Sequence, residues 1–142
     1  MAIAQAVCNS FKQQILEGVH NFATGGNVFK LSLYTSAANL SAWTTVYTST
    51  NEVANTGQYS AGGGTLTGQQ TSLDTGVAIV DFADLSFTGV TLTAAGALIY
   101  NTSASNKAVC VLDFGGDKTA TAGTFTIVFP AFTSANAILR IS

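Results

Sequence analysis

The strand pattern of this chain begins at Val28-Phe29-Lys30-Leu31-Ser32-Leu33-Tyr34. Here the apolar side chains of Phe29, Leu31 and Leu33 alternate with polar ones. Successive side chains of a strand point to opposite faces of the sheet, so alternation predicts a strand with one face buried and one face in solvent. The stretch therefore predicts that antiparallel β-structure begins here, after a first segment with a different pattern.

Downstream, short runs rich in β-branched and aromatic residues alternate with turn-forming residues. We predict strands at Thr65–Thr71, Gly76–Phe82, Leu85–Thr93, Gly96–Tyr100, Lys107–Phe114, Thr124–Phe129 and Ala137–Ile141. The segments 101–106 and 115–123 are rich in small and polar residues, and we predict that they are connecting loops. Short strands with short links are typical of an all-β antiparallel sandwich or jelly roll.

The first segment, 1–22, has a different period. Apolar residues recur every four positions, at Ile3, Val7, Phe11, Ile15 and Val19. This spacing predicts an amphipathic N-terminal α-helix, and the Gly25-Gly26 pair prevents its continuation. Two interpretations of its apolar face remain open. Phe11 and Ile15 are the candidate interface residues on this face. The helix packs on the sheet of its own chain, or it docks on a neighbouring subunit.

A long irregular tract at about 35–64 follows the first strand. It carries Trp43, Tyr47 and Tyr59 among serine, threonine, asparagine and glycine residues. A loop of this length in a compact domain is usually functional or contains short strands. Its aromatic side chains are suited to anchoring a partner surface, or they tie the loop to its own sheet. The sequence leaves both interpretations open.

Composition restricts the function more than any motif does. The 142 residues include one histidine, two cysteines and twelve charged side chains (Lys+Arg 5, Asp+Glu 7), and 47% of residues are hydrophobic. Catalysis and metal binding draw mostly on the scarce types, so we predict a non-enzymatic protein without cofactor or metal. A surface with 8% charged residues favours self-association or assembly into a larger particle. A polar, uncharged threonine and serine surface is the alternative explanation.

The length predicts one domain, 1–142. No apolar run approaches the roughly 20 residues of a membrane span, and the start of the chain lacks a signal-peptide pattern, so we expect no membrane partner and cytoplasmic assembly. The five basic residues are scattered singly, which argues against nucleic acid as a partner. The apolar flanks of Cys8 and Cys110 predict two buried, reduced thiols.

The motif-like groups have simpler interpretations. Asp113–Lys118 lacks the residues of a phosphate or calcium loop and predicts a tight turn. Asp81 and Asp84 lie three apart, which places them on opposite faces of a strand or on either side of a bend. His20 has no partner motif for nucleophilic catalysis and is interpreted as a polar residue near the end of the helix.

Several phrases resemble a family of small virion proteins of tailed bacteriophages and prophages. They are Ala4-Gln5-Ala6-Val7-Cys8-Asn9-Ser10-Phe11-Lys12, Lys30-Leu31-Ser32-Leu33-Tyr34-Thr35, Gly96-Ala97-Leu98-Ile99-Tyr100-Asn101, Asn106-Lys107-Ala108-Val109, Val111-Leu112-Asp113-Phe114-Gly115 and Ala137-Ile138-Leu139-Arg140-Ile141. The resemblance runs over nearly the whole chain, and its motifs are structural rather than catalytic. It implies a capsid decoration, or cement, protein on the outside of an icosahedral head.

That resemblance sets the functional expectations. The partners would be the major capsid protein and further copies of this chain, and the location would be the head exterior of a virion assembled in a bacterial cytoplasm. The alternative is a tail, collar or fibre component that binds a host surface glycan through exposed aromatic side chains. A glycan hydrolase, which requires a pair of placed carboxylates, ranks third.

Overall fold

A computed structural model describes residues 2–142 as two antiparallel sheets with one short helix. The fold is an all-β sandwich with a short N-terminal helix. Its elements, in chain order, are β1 (Ala6–Val7), α1 (Asn9–Leu16), β2 (Phe29–Tyr34), β3 (Gly64–Thr65), β4 (Gln70–Asp74), β5 (Val77–Asp81), β6 (Leu85–Asn101), β7 (Lys107–Ile127) and β8 (Leu139–Ile141). The large sheet has the order β1-β7-β6-β2-β3, and the small sheet has the order β4-β5-β8.

The helix is shorter than the 1–22 segment predicted for it. Ala6 and Val7 pair with β7 instead, and Cys8 before the helix is extended (φ −66°, ψ 139°). Gly18 ends the helix with φ +74°, a conformation that glycine adopts without steric cost. The four-residue period was therefore misleading, because Ile3 and Val7 face the core from extended backbone rather than from a helix.

The first predicted strand exists, but it is not half-buried. In β2, Ser32 and Tyr34 are as fully buried as Phe29, Leu31 and Leu33. The strand is central in the large sheet, between β6 and β3, and the long tract 35–63 covers its second face. The Ser32 and Tyr34 hydroxyls lie 3.0 Å apart, so these polar groups are paired inside the core.

The predicted strands of the second half merge into one long hairpin. The single strand β6 contains Leu85–Thr93 and Gly96–Tyr100. The strand β7 contains Lys107–Phe114 and Thr124–Ile127, and Val128 and Phe129 lie beyond its end. The segment 115–123, predicted as a loop, belongs to β7, where Gly115 and Gly116 form a bulge with positive φ. Glycine and threonine there mark a strand irregularity rather than a connection.

The remaining strand predictions need smaller corrections. The segment predicted as Thr65–Thr71 divides into β3 and the start of β4, because Gly68 adopts φ +63° between them. Gly76–Phe82 corresponds to β5, and only the last part of Ala137–Ile141 forms β8. One continuous cluster of buried side chains joins Phe11 of α1, both long strands and Leu139 of the small sheet.

Candidate docking surface

The structure separates the five predicted interface residues into two groups. Phe11 and Tyr59 are buried in the core of their own chain, with 5% and 0% of their surface exposed. Ile15 and Tyr47 are partly buried, and both pack against that core. Trp43 is 80% exposed. Of the five, only Trp43 presents most of its side chain to solvent.

Tyr47 and Tyr59 tie the long loop to its own sheet through Glu52. The Tyr47 hydroxyl donates to Oε1 of Glu52 at 2.5 Å, and the Tyr59 hydroxyl donates to Oε2 at 2.6 Å. The backbone N–H of Gly62 also donates to Oε2, at 2.7 Å. The Tyr59 hydroxyl in turn accepts the backbone N–H of Leu33 at 2.8 Å. For these two tyrosines the structure thus supports the interpretation that they anchor the loop.

Two further tyrosines of the sheet complete this cluster. The Tyr34 hydroxyl donates to the carbonyl oxygen of Thr48 at 2.6 Å, and the Tyr100 hydroxyl donates to that of Gly62 at 2.5 Å. Tyr47 stacks on Tyr100 with ring centroids 4.7 Å apart. Burial, with the charge of Glu52 adding to it, raises the pKa of Tyr34 and of Tyr100 to about 12, so all these hydroxyls remain donors at neutral pH.

Sequence reasoning missed Glu52, although a signal for it existed. It is the only charged residue between Lys30 and Asp74, in a segment that also contains three tyrosines. A lone carboxylate in such an apolar and hydroxyl-rich segment needs hydrogen-bond donors, and tyrosine hydroxyls supply them.

Trp43 is exposed on a rigid turn rather than on a free loop. Its backbone N–H donates to the Ser41 hydroxyl at 3.1 Å, and the N–H of Thr44 donates to the carbonyl oxygen of Ser41 at 3.0 Å. The carbonyl of Ala42 accepts from the N–H of Asn9, the first residue of α1, at 2.8 Å. An exposed tryptophan on a hydrogen-bonded turn suits a contact with a partner, because the backbone of the turn is already ordered before binding.

An apolar groove of about 770 Å³ lies between α1 and the small sheet. Phe11, Ile15 and Leu16 line one wall, and Ile79 and Ile141 line the opposite wall. Leu16 is 89% exposed and Ile141 is 59% exposed. We call this groove the docking surface. Trp43 is not among the residues that line it, and the Trp43 turn lies at the start of α1, whereas Leu16 lies at its end.

A second exposed face is polar and uncharged. On the part of the hairpin formed by Leu85–Thr93 and Thr119–Ile127, hydroxyl side chains pair across the strands. The Ser86 and Thr126 hydroxyls lie 2.9 Å apart, and those of Thr93 and Thr119 lie 3.0 Å apart. The low charge of the chain thus coexists with both an apolar groove and a threonine-rich face.

The aspartates that the sequence analysis considered as candidate catalytic or metal-binding groups have structural positions. Asp81 ends β5 and Asp84 precedes β6, so they flank the connection between these strands, and Oδ1 of Asp84 accepts the N–H of Phe129 at 3.0 Å. Oδ1 of Asp113 accepts the N–H of Gly115 at 2.9 Å within the bulge. Among residues 2–142, no three histidine, cysteine or acidic side chains are grouped as a metal site would require.

The search for relatives gave no match among protein-family models, curated proteins or solved structures. No helix in the described part of the chain is long and apolar enough to cross a membrane.

Proposed function

We propose that this chain is a capsid decoration, or cement, protein of a tailed bacteriophage that binds the outside of the head shell. The docking surface is the observation that supports this proposal. It is an apolar groove lined by the largely exposed Leu16, on a chain with few charges, and the exposed Trp43 offers a separate apolar contact. The sequence resemblance to small virion proteins supplies the partner, the major capsid protein.

The physical mechanism is adhesion between neighbouring shell subunits. Burying apolar surface contributes about 25 cal/mol per Å², and a stable interface buries roughly 1,600 Å² in total. Sparse charge favours such contacts, because few charged groups lose their hydration when the interface forms. Repetition over the shell multiplies a modest contact, and preferential binding to the mature lattice stabilises that lattice against internal DNA pressure.

Trp43 favours one alternative, a tail, collar or fibre component. An exposed aromatic ring on a rigid turn also suits stacking on a sugar of a host surface glycan. In this case the protein would be needed for adsorption to the host and would not affect head stability.

Copy number and position in the virion distinguish the two functions. A cement protein is expected in hundreds of copies on the head exterior, as measured by quantitative mass spectrometry of purified virions and by imaging of labelled protein. A handful of copies at the tail, with loss of adsorption in particles that lack the protein, would contradict the cement function and favour the alternative.

A further inference from the structure

A buried polar network borders the apolar groove, which His20 helps to line, and joins three segments of the chain. His20, which is 6% exposed, places Nε2 2.8 Å from Oε1 of Gln14 in α1. Its Nδ1 lies 3.0 Å from Nδ2 of Asn101, the last residue of β6. The same Nδ2 donates to Oδ1 of Asn27 at 3.0 Å. The network thus ties α1 and the segment 17–28 to the end of the long hairpin.

The other bonds of Asn101 determine the protonation state of His20. Oδ1 of Asn101 accepts the N–H of Ser103 at 3.0 Å, so the amide nitrogen must face Asn27 and His20. An amide nitrogen only donates, so Nδ1 of His20 accepts and its proton resides on Nε2, which donates to Gln14. The network therefore fits the neutral imidazole and excludes the imidazolium, in which both nitrogens donate.

The surroundings of the ring also oppose a positive charge. The rings of Phe11, Phe22 and Phe29 lie 4.8, 6.5 and 6.4 Å from the imidazole, centroid to centroid. Burial lowers the pKa of His20 below 6.5, and the charge of Lys107 lowers it further. The charged side chains on the elements around His20 are Lys12 of α1, Glu17 directly after α1, Lys30 of β2, Asp81 of β5, Lys107, Asp113, Asp117 and Lys118 of β7, and Arg140 of β8. Of these, the charge of Lys107 acts on the imidazole and disfavours a further positive charge.

We propose that His20 is an acid-sensitive latch, and that its protonation releases α1 and the segment 17–28 from the sheet. A proton on Nδ1 would face the donating nitrogen of Asn101. Rotating this amide to restore the bond would sacrifice the bonds to Ser103 and Asn27. Because Phe11, Ile15 and Leu16 form one wall of the groove, release of α1 opens the groove. The latch acts within this chain and does not depend on which partner the groove binds.

The direction of the pH dependence follows from the preference for the neutral ring. Above the ordinary histidine pKa of about 6.5, folded and unfolded chains are both neutral at His20, and the latch is fully closed. As the pH falls below this value, the open segment takes up the proton first. The equilibrium between closed and open forms then shifts toward the open form by up to about tenfold per pH unit, until the pH reaches the pKa of the closed form.

Amide hydrogen exchange of the full chain, corrected for the intrinsic effect of pH, tests the latch. We expect protection in residues 9–28 to fall between about pH 7 and about pH 5, by at most about tenfold per pH unit below about 6.5, while protection in β6 and β7 is retained. His20→Gln, which cannot titrate, should abolish this local pH dependence. Loss of protection that is uniform over the chain, or equal in wild type and His20→Gln, would overturn the proposal.

A second variant tests the role of Asn101 directly. Asn101→Asp places an acceptor with negative charge opposite Nδ1, so it should raise the pKa of His20 and remove or reverse the acid-induced opening. Asn39→Asp adds the same charge at an exposed position and should leave the opening unchanged. NMR titration of His20 in the unmodified protein provides a measurement that needs no variant. A neutral Nε2–H tautomer with a pKa below 6.5 supports the latch, and a pKa at or above 6.5 contradicts it.

Discussion

At the scale of single residues, the carboxylate of Glu52 organises the long loop. It accepts hydrogen bonds from Tyr47, Tyr59 and the backbone of Gly62, and it lies beside the central strand β2. A loop of serine, threonine and glycine has little apolar surface of its own to hold it in place. The loop instead keeps one conformation because its tyrosines share a single charged acceptor.

Replacing Glu52 should therefore destabilise the whole domain. Glu52→Ala leaves the donors of Tyr47, Tyr59 and Gly62 without their acceptor, and we expect a loss of about 2–4 kcal/mol in the free energy of unfolding, measured by urea denaturation. Glu17→Ala, a matched change at an exposed carboxylate, should cost less than about 0.5 kcal/mol. Equal effects of the two substitutions would show that the tyrosine cluster contributes no stability.

The two thiols illustrate burial without pairing. Cys8 and Cys110 are free and buried, and burial raises the pKa of Cys8 to about 11 and that of Cys110 further. The thiolate is the reactive form, so both side chains should resist alkylation at about pH 8 in the folded protein and react once urea unfolds it. Mass spectrometry under non-reducing conditions checks the same point. A Cys8–Cys110 disulfide in assembled particles would contradict this prediction.

At the scale of elements, the sequence predicted strand content better than strand boundaries. Alternation correctly indicated β2, and the connecting loop predicted at 101–106 correctly separated β6 from β7. The bulge in β7 could not be predicted, because glycine pairs mark both loops and strand irregularities. Whether the chain continues in a strand depends on a partner strand far away in sequence, here β6. The helix boundary failed for the same reason, since pairing of β1 with β7 overrides the helical period.

The positive φ of Gly115 in the β7 bulge leads to a testable prediction. Gly115 has φ +77° with no atom within 4 Å of an added Cβ, so Gly115→Ala introduces backbone strain without a clash. We expect it to lower the free energy of unfolding by about 1 kcal/mol. Gly123, in the same strand, lacks the positive φ and has its nearest neighbour at 3.4 Å, so Gly123→Ala should be neutral or stabilising. Chemical denaturation of both variants measures the difference, and an equal effect would contradict the role assigned to the bulge.

At the scale of the whole molecule, sparse charge and exposed apolar side chains occur together. The sequence named Trp43 as a candidate interface residue without deciding whether it is exposed, and it could not reveal the groove, which forms only where α1 meets the small sheet. Leu16 and Ile141, which are far apart in the sequence, line the same groove. A pattern within one segment cannot show that two distant segments form one groove. The proposed function therefore depends on a surface that becomes visible only in the folded molecule.

Thermal release of DNA from phage heads tests the proposed function most directly. Mature heads that lack this protein should release DNA at a lower temperature than complete heads, and purified protein added back should restore the higher temperature. Leu16→Asp places a charge on the docking surface at an 89% exposed position, so the variant should fold and fail to restore resistance. Leu73→Asp, at a 73% exposed position on β4, is the matched control and should restore it. Identical release temperatures with and without the unmodified protein would contradict the cement function, and full restoration by Leu16→Asp would contradict the docking surface.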